Sequence, residues 1–114
     1  LKASMDALYG CPPNVFPFGK QYGWVNIETR ETYSYLVRLE ESGVQEALRE
    51  ALPVSRLHKQ IGEHEMVSHE FLSEDRAVQA TTFADGTRVV ANLSEHDAET
   101  AETGQLSSHS WRRL

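Results

Sequence analysis

The spacing of apolar residues changes along this chain, and each change marks an element. Between residues 77 and 93 it is two. Val78, Ala80 and Thr82 alternate with Gln79, Thr81 and Phe83, and Val89, Ala91 and Leu93 alternate with Arg88, Val90 and Asn92. Ala84-Asp85-Gly86-Thr87 separates the two runs. Asp-Gly between β-rich runs predicts a hairpin with a tight type I′ turn, whose central residues both need positive φ. Pairing Ala84 with Thr87 sets the expected register. It places Val78, Ala80, Thr82, Val89, Ala91 and Leu93 on one buried face. Phe83 and Val90 fall on the other, with Gln79, Thr81, Arg88 and Asn92. An isolated hairpin is marginal in water, so this one is expected to join a sheet. Met66 to Leu72 is a candidate strand for it. Leu57, Ile61 and Met66 are the expected anchors of the mixed stretch 54–76.

Residues 29–52 carry helical spacing. Tyr33, Leu36 and Val37 begin an apolar stripe, and Val44, Ala47, Leu48, Ala51 and Leu52 continue it. Ser42-Gly43 interrupts the pattern, and Ser42 with Gln45 fits a capping box. Pro53 is expected to end the segment, because a proline disfavours helical geometry at the residue before it. This predicts one kinked helix or two short ones. Residues 1–27 read as an irregular aromatic loop preceded by a short helix or strand. Pro12, Pro13 and Pro17 break regular structure there, and Tyr9, Phe16, Phe18, Tyr22 and Trp24 cluster among them. The fold class that follows is α+β, with the N-terminal aromatic loop and the helices packed on a small antiparallel sheet built around the 77–93 hairpin. Residues 1–93 are expected to form one unit, a fragment of a larger protein. Residues 94–114 turn polar and acidic, and read as a polar loop or flexible tail.

At 114 residues the chain is about one domain. Its formal charge of −6 repels phosphate, and its basic residues cluster only at Arg112-Arg113, so no nucleic-acid partner is expected. No apolar run approaches the roughly 20 residues of a membrane-spanning helix. Cys11 is the single cysteine, which rules out an intrachain disulfide and a cysteine-based zinc cluster. That suits a reducing compartment and slightly favours the cytoplasm. Leu1 in place of Met fits a fragment or a processed chain.

The chemistry-bearing residues divide into those with an ordinary explanation and one cluster with a more interesting one. Of the five histidines, His58, His64, His69, His96 and His109, the pair His64 and His69 comes nearest to a ligand set. A spacing of five does not put two imidazoles on one helix face, as a spacing of four does, so no metal is expected. Cys11 has no nearby histidine to act as its base. Turn geometry accounts for Asp85. Glu70, Glu74 and Asp75 sit near a strand end, and the sequence does not show them to be the carboxylate pair that glycoside cleavage needs. No catalytic residue and no cofactor is expected. Tyr22-Gly23-Trp24 with Asn26 is the substrate-binding candidate. Sugars pack their C–H faces on aromatic rings while an amide fixes their hydroxyls. The ordinary alternative is that these rings plug the core under the loop.

Glu70-Phe71-Leu72-Ser73-Glu74-Asp75, Val78-Gln79-Ala80-Thr81-Thr82-Phe83-Ala84-Asp85-Gly86-Thr87 and Val89-Val90-Ala91-Asn92 carry a resemblance. They are similar to the segment that closes the barrel and opens the β-sandwich in endo-α-N-acetylgalactosaminidase-like glycoside hydrolases. Leu8-Tyr9-Gly10 with Pro12-Pro13 resembles that group's loop after a late barrel strand, and the helix that follows would be a final barrel helix. The resemblance spans residues 8–93. It implies the C-terminal part of a carbohydrate-active hydrolase, with the upstream catalytic barrel of the same polypeptide as partner and carbohydrate as a further contact. A whole barrel takes about 250 residues, and the family's catalytic carboxylates lie on earlier strands, so none is carried over. The alternative is a stand-alone interaction or regulatory domain without catalysis. A third reading is a small enzyme acting through His64 and a carboxylate.

Overall fold

Three runs of strand-forming residues between Met66 and Asn92 pair side by side, and a fourth from the acidic C-terminal stretch joins them. The computed structural model describes residues 1–14 and 42–114, apart from the side chains of residues 42–44. In chain order the elements are α1 (Lys2–Leu8), α2 (Ser42–Ile61), β1 (Met66–Phe71), β2 (Val78–Phe83), β3 (Arg88–Asn92), β4 (Ala98–Thr100), β5 (Gly104–Leu106) and β6 (Trp111–Arg113). β1-β2-β3-β6 form an antiparallel sheet, and β4 and β5 a separate two-stranded ribbon. The architecture is α+β in three layers: the two helices, the four-stranded sheet, and the ribbon on the sheet's other face.

The hairpin stands where its residues predict, but its register differs by one. Ala80 faces Val90, Thr81 faces Val89 and Thr82 faces Arg88. The Phe83 N–H donates to the Thr87 carbonyl at 2.9 Å, and the Gly86 N–H to the Phe83 carbonyl at 2.9 Å. The loop is therefore three residues, Ala84-Asp85-Gly86, in which Gly86 alone takes positive φ, at 86°. This is a β-turn closed by a left-handed glycine, not the type I′ turn expected from Asp-Gly. The Asp85 carboxylate fixes it by accepting from the Thr87 N–H at 2.9 Å and the Thr87 hydroxyl at 2.8 Å.

One residue of register exchanges the faces. Phe83 and Val89 point to the helices, where they are buried with Ala7, Val54, Leu57 and Ile61. Val78, Ala80 and Val90 point to the ribbon, where Leu106 covers them. Val78 and Val89 are both buried as expected, but on opposite sides of the sheet. Leu93 is only half-buried.

α2 continues through Pro53, where the residue pattern predicts a stop. The packing beyond the proline explains this. Val54, Leu57 and Ile61, at spacings of three and four, are 1%, 3% and 1% exposed on the sheet. Burying each contributes about 1.5–3 kcal/mol, and the three together outweigh an interior proline's penalty of about 3 kcal/mol. The earlier stripe behaves differently: Leu48 and Leu52 are 45% and 49% exposed. The helical stretch 29–41 and the Ser42 cap lie outside the described residues.

α1 stands where a short helix or strand is expected before the aromatic loop. It precedes Tyr9-Gly10 where the family resemblance implied a barrel strand. Two buried hydroxyls seat it: Thr81 donates to the Leu8 carbonyl at 2.7 Å, and Ser4 to the His109 carbonyl at 2.6 Å. The stretch expected to be a polar loop or flexible tail is instead β4, β5 and β6. Leu106 is its one fully buried apolar side chain, and Ala98 and Trp111 pack part-buried on the ribbon-side and helix-side clusters. Side-chain bonds to backbone do the rest, above all those of Asn92. The two N–H protons of this fully buried amide are shared among the carbonyls of His96, Leu106 and Ser107 at 2.7, 3.1 and 3.2 Å, and its oxygen accepts from the Ser94 N–H and hydroxyl.

Candidate functional site

Alternation along β1, shifted by a bulge between Met66 and Ser68, sends Met66, His69 and Phe71 to the helix side of the sheet. The helices cover Met66 but not the outer end of the strand. Phe71 is 54% exposed there. Tyr9, the C-cap of α1, reaches over this end and is itself exposed. The result is a row of rings. Tyr9 stacks on His69, with centroids 5.9 Å apart and planes at 23°. Phe71 meets the His69 ring edge-on, at 5.1 Å and 87°. The Arg76 guanidinium lies 5.3 Å from the Phe71 centroid, within cation–π range.

A single amide beneath holds the row. Gln79, on β2 opposite Phe71, is buried. Its Nε2 donates to the Arg76 carbonyl at 2.8 Å, which fixes the orientation of the amide. Its Oε1 then accepts from the Tyr9 hydroxyl at 3.3 Å and from His69 Nε2 at 2.9 Å. An acceptor at that position puts the imidazole proton on Nε2 and leaves Nδ1 as a hydrogen-bond acceptor. His58 carries the opposite tautomer, with Nδ1 donating to the Gly10 carbonyl at 3.0 Å. Arg76 has φ of 60°, unusual for a residue with a β-carbon, and its N–H bonds the Ser73 carbonyl at 3.0 Å.

The perturbed carboxylates all shift downward. Arg88 forks to two of them, reaching Glu70 at 3.1 and 3.2 Å and Glu102 at 2.6 and 2.8 Å. Its hydrogen bonds hold both below the ordinary value of 4.5, and the two carboxylates raise Arg88 in turn. The Ser73 hydroxyl and the Ala77 N–H lower Asp75. The Thr87 N–H and hydroxyl, then Gln60, lower Asp85. A general acid in glycoside cleavage needs the reverse, a carboxyl held protonated by burial.

The lowered carboxylates set a pH dependence. Their stabilising contribution is present above the unfolded value and is lost as pH falls through the folded value. The melting temperature of the chain is therefore expected to drop as pH falls below about 4.5, the ordinary carboxylate range. Arg88→Gln should flatten the part of that drop owed to Glu70 and Glu102 and leave the part owed to Asp75 and Asp85. Identical slopes in scanning calorimetry would show that the Arg88 fork adds nothing to stability.

Tyr22, Trp24 and Asn26, the sugar-binding candidates, lie outside the described residues. His64 sits exposed in the turn after α2, and His69 is committed to Gln79, so the two do not converge. Among the described residues no group of three histidine, cysteine or carboxylate side chains could hold a metal. Among them, too, no helix is long and apolar enough to cross a membrane. Cys11 is exposed, and its thiol lies 3.9 Å from the Tyr9 carbonyl. The row of rings escapes a sequence reading because Tyr9 stands 60 residues from His69. The alternation of His69 and Phe71 along a candidate strand is its only local trace.

No protein-family model matches the chain, and no curated protein matches it.

Proposed function

We propose that this chain is the C-terminal part of a carbohydrate-active, glycoside hydrolase-like protein, in which it buttresses the catalytic barrel and does not cleave glycosides by itself. The observation that carries the reading is the double use of α2. Its C-terminal half is buried on the sheet through Val54, Leu57 and Ile61. Its N-terminal half turns Leu48 and Leu52 away from every described element, beside Pro13 and Ala51. A helix with one apolar face in its own core and another exposed among the described residues suits the junction between two packed bodies. The downward-shifted carboxylates agree with a supporting role. So does the sheet that follows the helix, as the start of a β-sandwich would.

The encoding frame tests the reading directly. A few hundred in-frame residues upstream, with barrel-forming alternation of strands and helices, are expected. A stop codon shortly upstream, leaving Met5 as the start, would overturn the proposal in favour of a stand-alone interaction domain. Turnover of aryl glycosides by this chain, abolished by one carboxylate substitution, would overturn the non-catalytic part.

A further inference from the structure

We infer that Asn92-Leu93-Ser94 is an acceptor for asparagine-linked glycosylation in the unfolded chain alone, and that a glycan placed there blocks folding. The chain has one asparagine followed two residues on by serine or threonine, and it is Asn92. That pattern is the signal for transfer of an oligosaccharide from a lipid-linked pyrophosphate donor, and such an acceptor ordinarily lies on a surface loop. Here it lies at the end of β3, tied to the chain on both sides. The Asn92 N–H donates to the Ser110 carbonyl at 2.9 Å, and the Leu93 N–H to the Ala77 carbonyl at 2.8 Å. Asn92 is 0% exposed. The Ser94 hydroxyl, the second group that the signal requires, is held against Asn92 Oδ1 at 2.7 Å and the His96 carbonyl at 2.8 Å. The folded chain therefore presents neither the amide nor the hydroxyl to a transferase.

In the unfolded chain both groups are free. Transfer forms a bond from Asn92 Nδ2 to the anomeric carbon of the first sugar and breaks that carbon's bond to the pyrophosphate oxygen. One amide proton and the lipid pyrophosphate leave. Two consequences oppose folding. The amide keeps one N–H where it now shares two among three carbonyls, so a buried acceptor such as the Leu106 carbonyl loses its donor. The larger obstacle is volume. Asn92 is enclosed between the sheet and the ribbon, beside the cluster in which Leu106 covers Val78, Ala80 and Val90. A sugar on Nδ2 reaches water only by lifting the ribbon off the sheet. Glycosylation at Asn92 and the native fold thus exclude each other. The inference stands apart from the hydrolase reading and adds a condition to it: the chain has to fold before it meets a transferase of this kind, or away from one.

The test is translation of the full chain, behind a signal sequence, into microsomes that contain the transferase, with and without tunicamycin to withhold the lipid-linked donor. With donor, a fraction of chains should gain one glycan that an N-glycosidase removes. Limited proteolysis should digest that fraction about tenfold faster or more than the chains made without donor. Ser94→Ala, which keeps the asparagine, should carry no glycan. The purified folded chain, offered the same transferase and donor, should stay unmodified. Equal digestion of glycosylated and unmodified chains would overturn the inference, because the fold would then accommodate the sugar. Modification of the folded chain as fast as the nascent one would overturn it by showing that Asn92 is accessible. A glycan that persists in Ser94→Ala would place the modification elsewhere and overturn it too. So would a nascent chain that never gains a glycan, since Asn92 would then be an acceptor in neither state.

Discussion

Phe83→Ala is expected to remove about 3–5 kcal/mol of folding stability, the range for deleting a buried aromatic ring and leaving its cavity. That is a large share of the roughly 5–15 kcal/mol that holds a domain of this size folded. The ring stands at the centre of the helix-side core, among Val54, Leu57, Ile61 and Val89. It also fills the space above Gly10. A β-carbon on Gly10 would lie 2.9 Å from Phe83 Cε1, and Gly10 has φ of 66°. Gly10→Ala alone should therefore lose roughly 1–2 kcal/mol to the left-handed backbone, plus a further penalty from the ring. In the Phe83→Ala background only the backbone part should remain, so the double variant should be less damaged than the sum of the singles. Urea unfolding of the four proteins checks this, and strict additivity would refute the contact between ring and glycine.

Asn92→Ala should cost about 3 kcal/mol or more, although it deletes only a small polar group. Its amide donates to three carbonyls, and its oxygen serves Ser94 twice. The substitution strands the buried Leu106 carbonyl, a penalty of about 1–3 kcal/mol, and removes the other bonds of the amide, each worth about 0.5–1.5 kcal/mol. The damage should concentrate in the ribbon. Amide hydrogen exchange of residues 98–106 should accelerate more than that of β2. A loss under about half a kcal/mol, the usual range for surface substitutions, would mean that the carbonyls find other donors.

These two residues mark where the sequence could be read and where it could not. Phe83 and the strands beside it lie in runs whose alternation is visible, and the hairpin and the candidate strand at Met66 follow from pattern, whereas the helix over Val54 to Ile61 does not. What the pattern lacks is the choice between two loops of similar composition. Asp-Gly favours a two-residue turn on propensity, but the hydrogen bonds from Thr87 to Asp85 favour the three-residue loop, and those are visible only in three dimensions. Pro53 misleads for a related reason: its local penalty competes with packing against a sheet more than 20 residues away. The C-terminal strands misread as a tail because their apolar residues, Ala98, Leu106 and Trp111, are few and scattered, while Asn92, Asp97 and Thr100 anchor them through bonds that composition does not reveal. The row of rings is assembled from two distant stretches, so no window of sequence contains it.

The three-residue loop also bears on how the chain can change over evolutionary time. Surface turns are where insertions and deletions are ordinarily accepted. Here one added or lost residue between Ala84 and Gly86 would rotate β3 by half a turn relative to β2. Arg88, Val90 and Asn92 would swing under the helices, and Val89 and Ala91 would swing toward the ribbon. A charged fork and a five-bond amide would then sit against Leu57 and Ile61, with no partner for either. Because both sides of this sheet are packed, and packed with different chemistry, the tip of the hairpin should tolerate substitution at Ala84 far better than any change in its length.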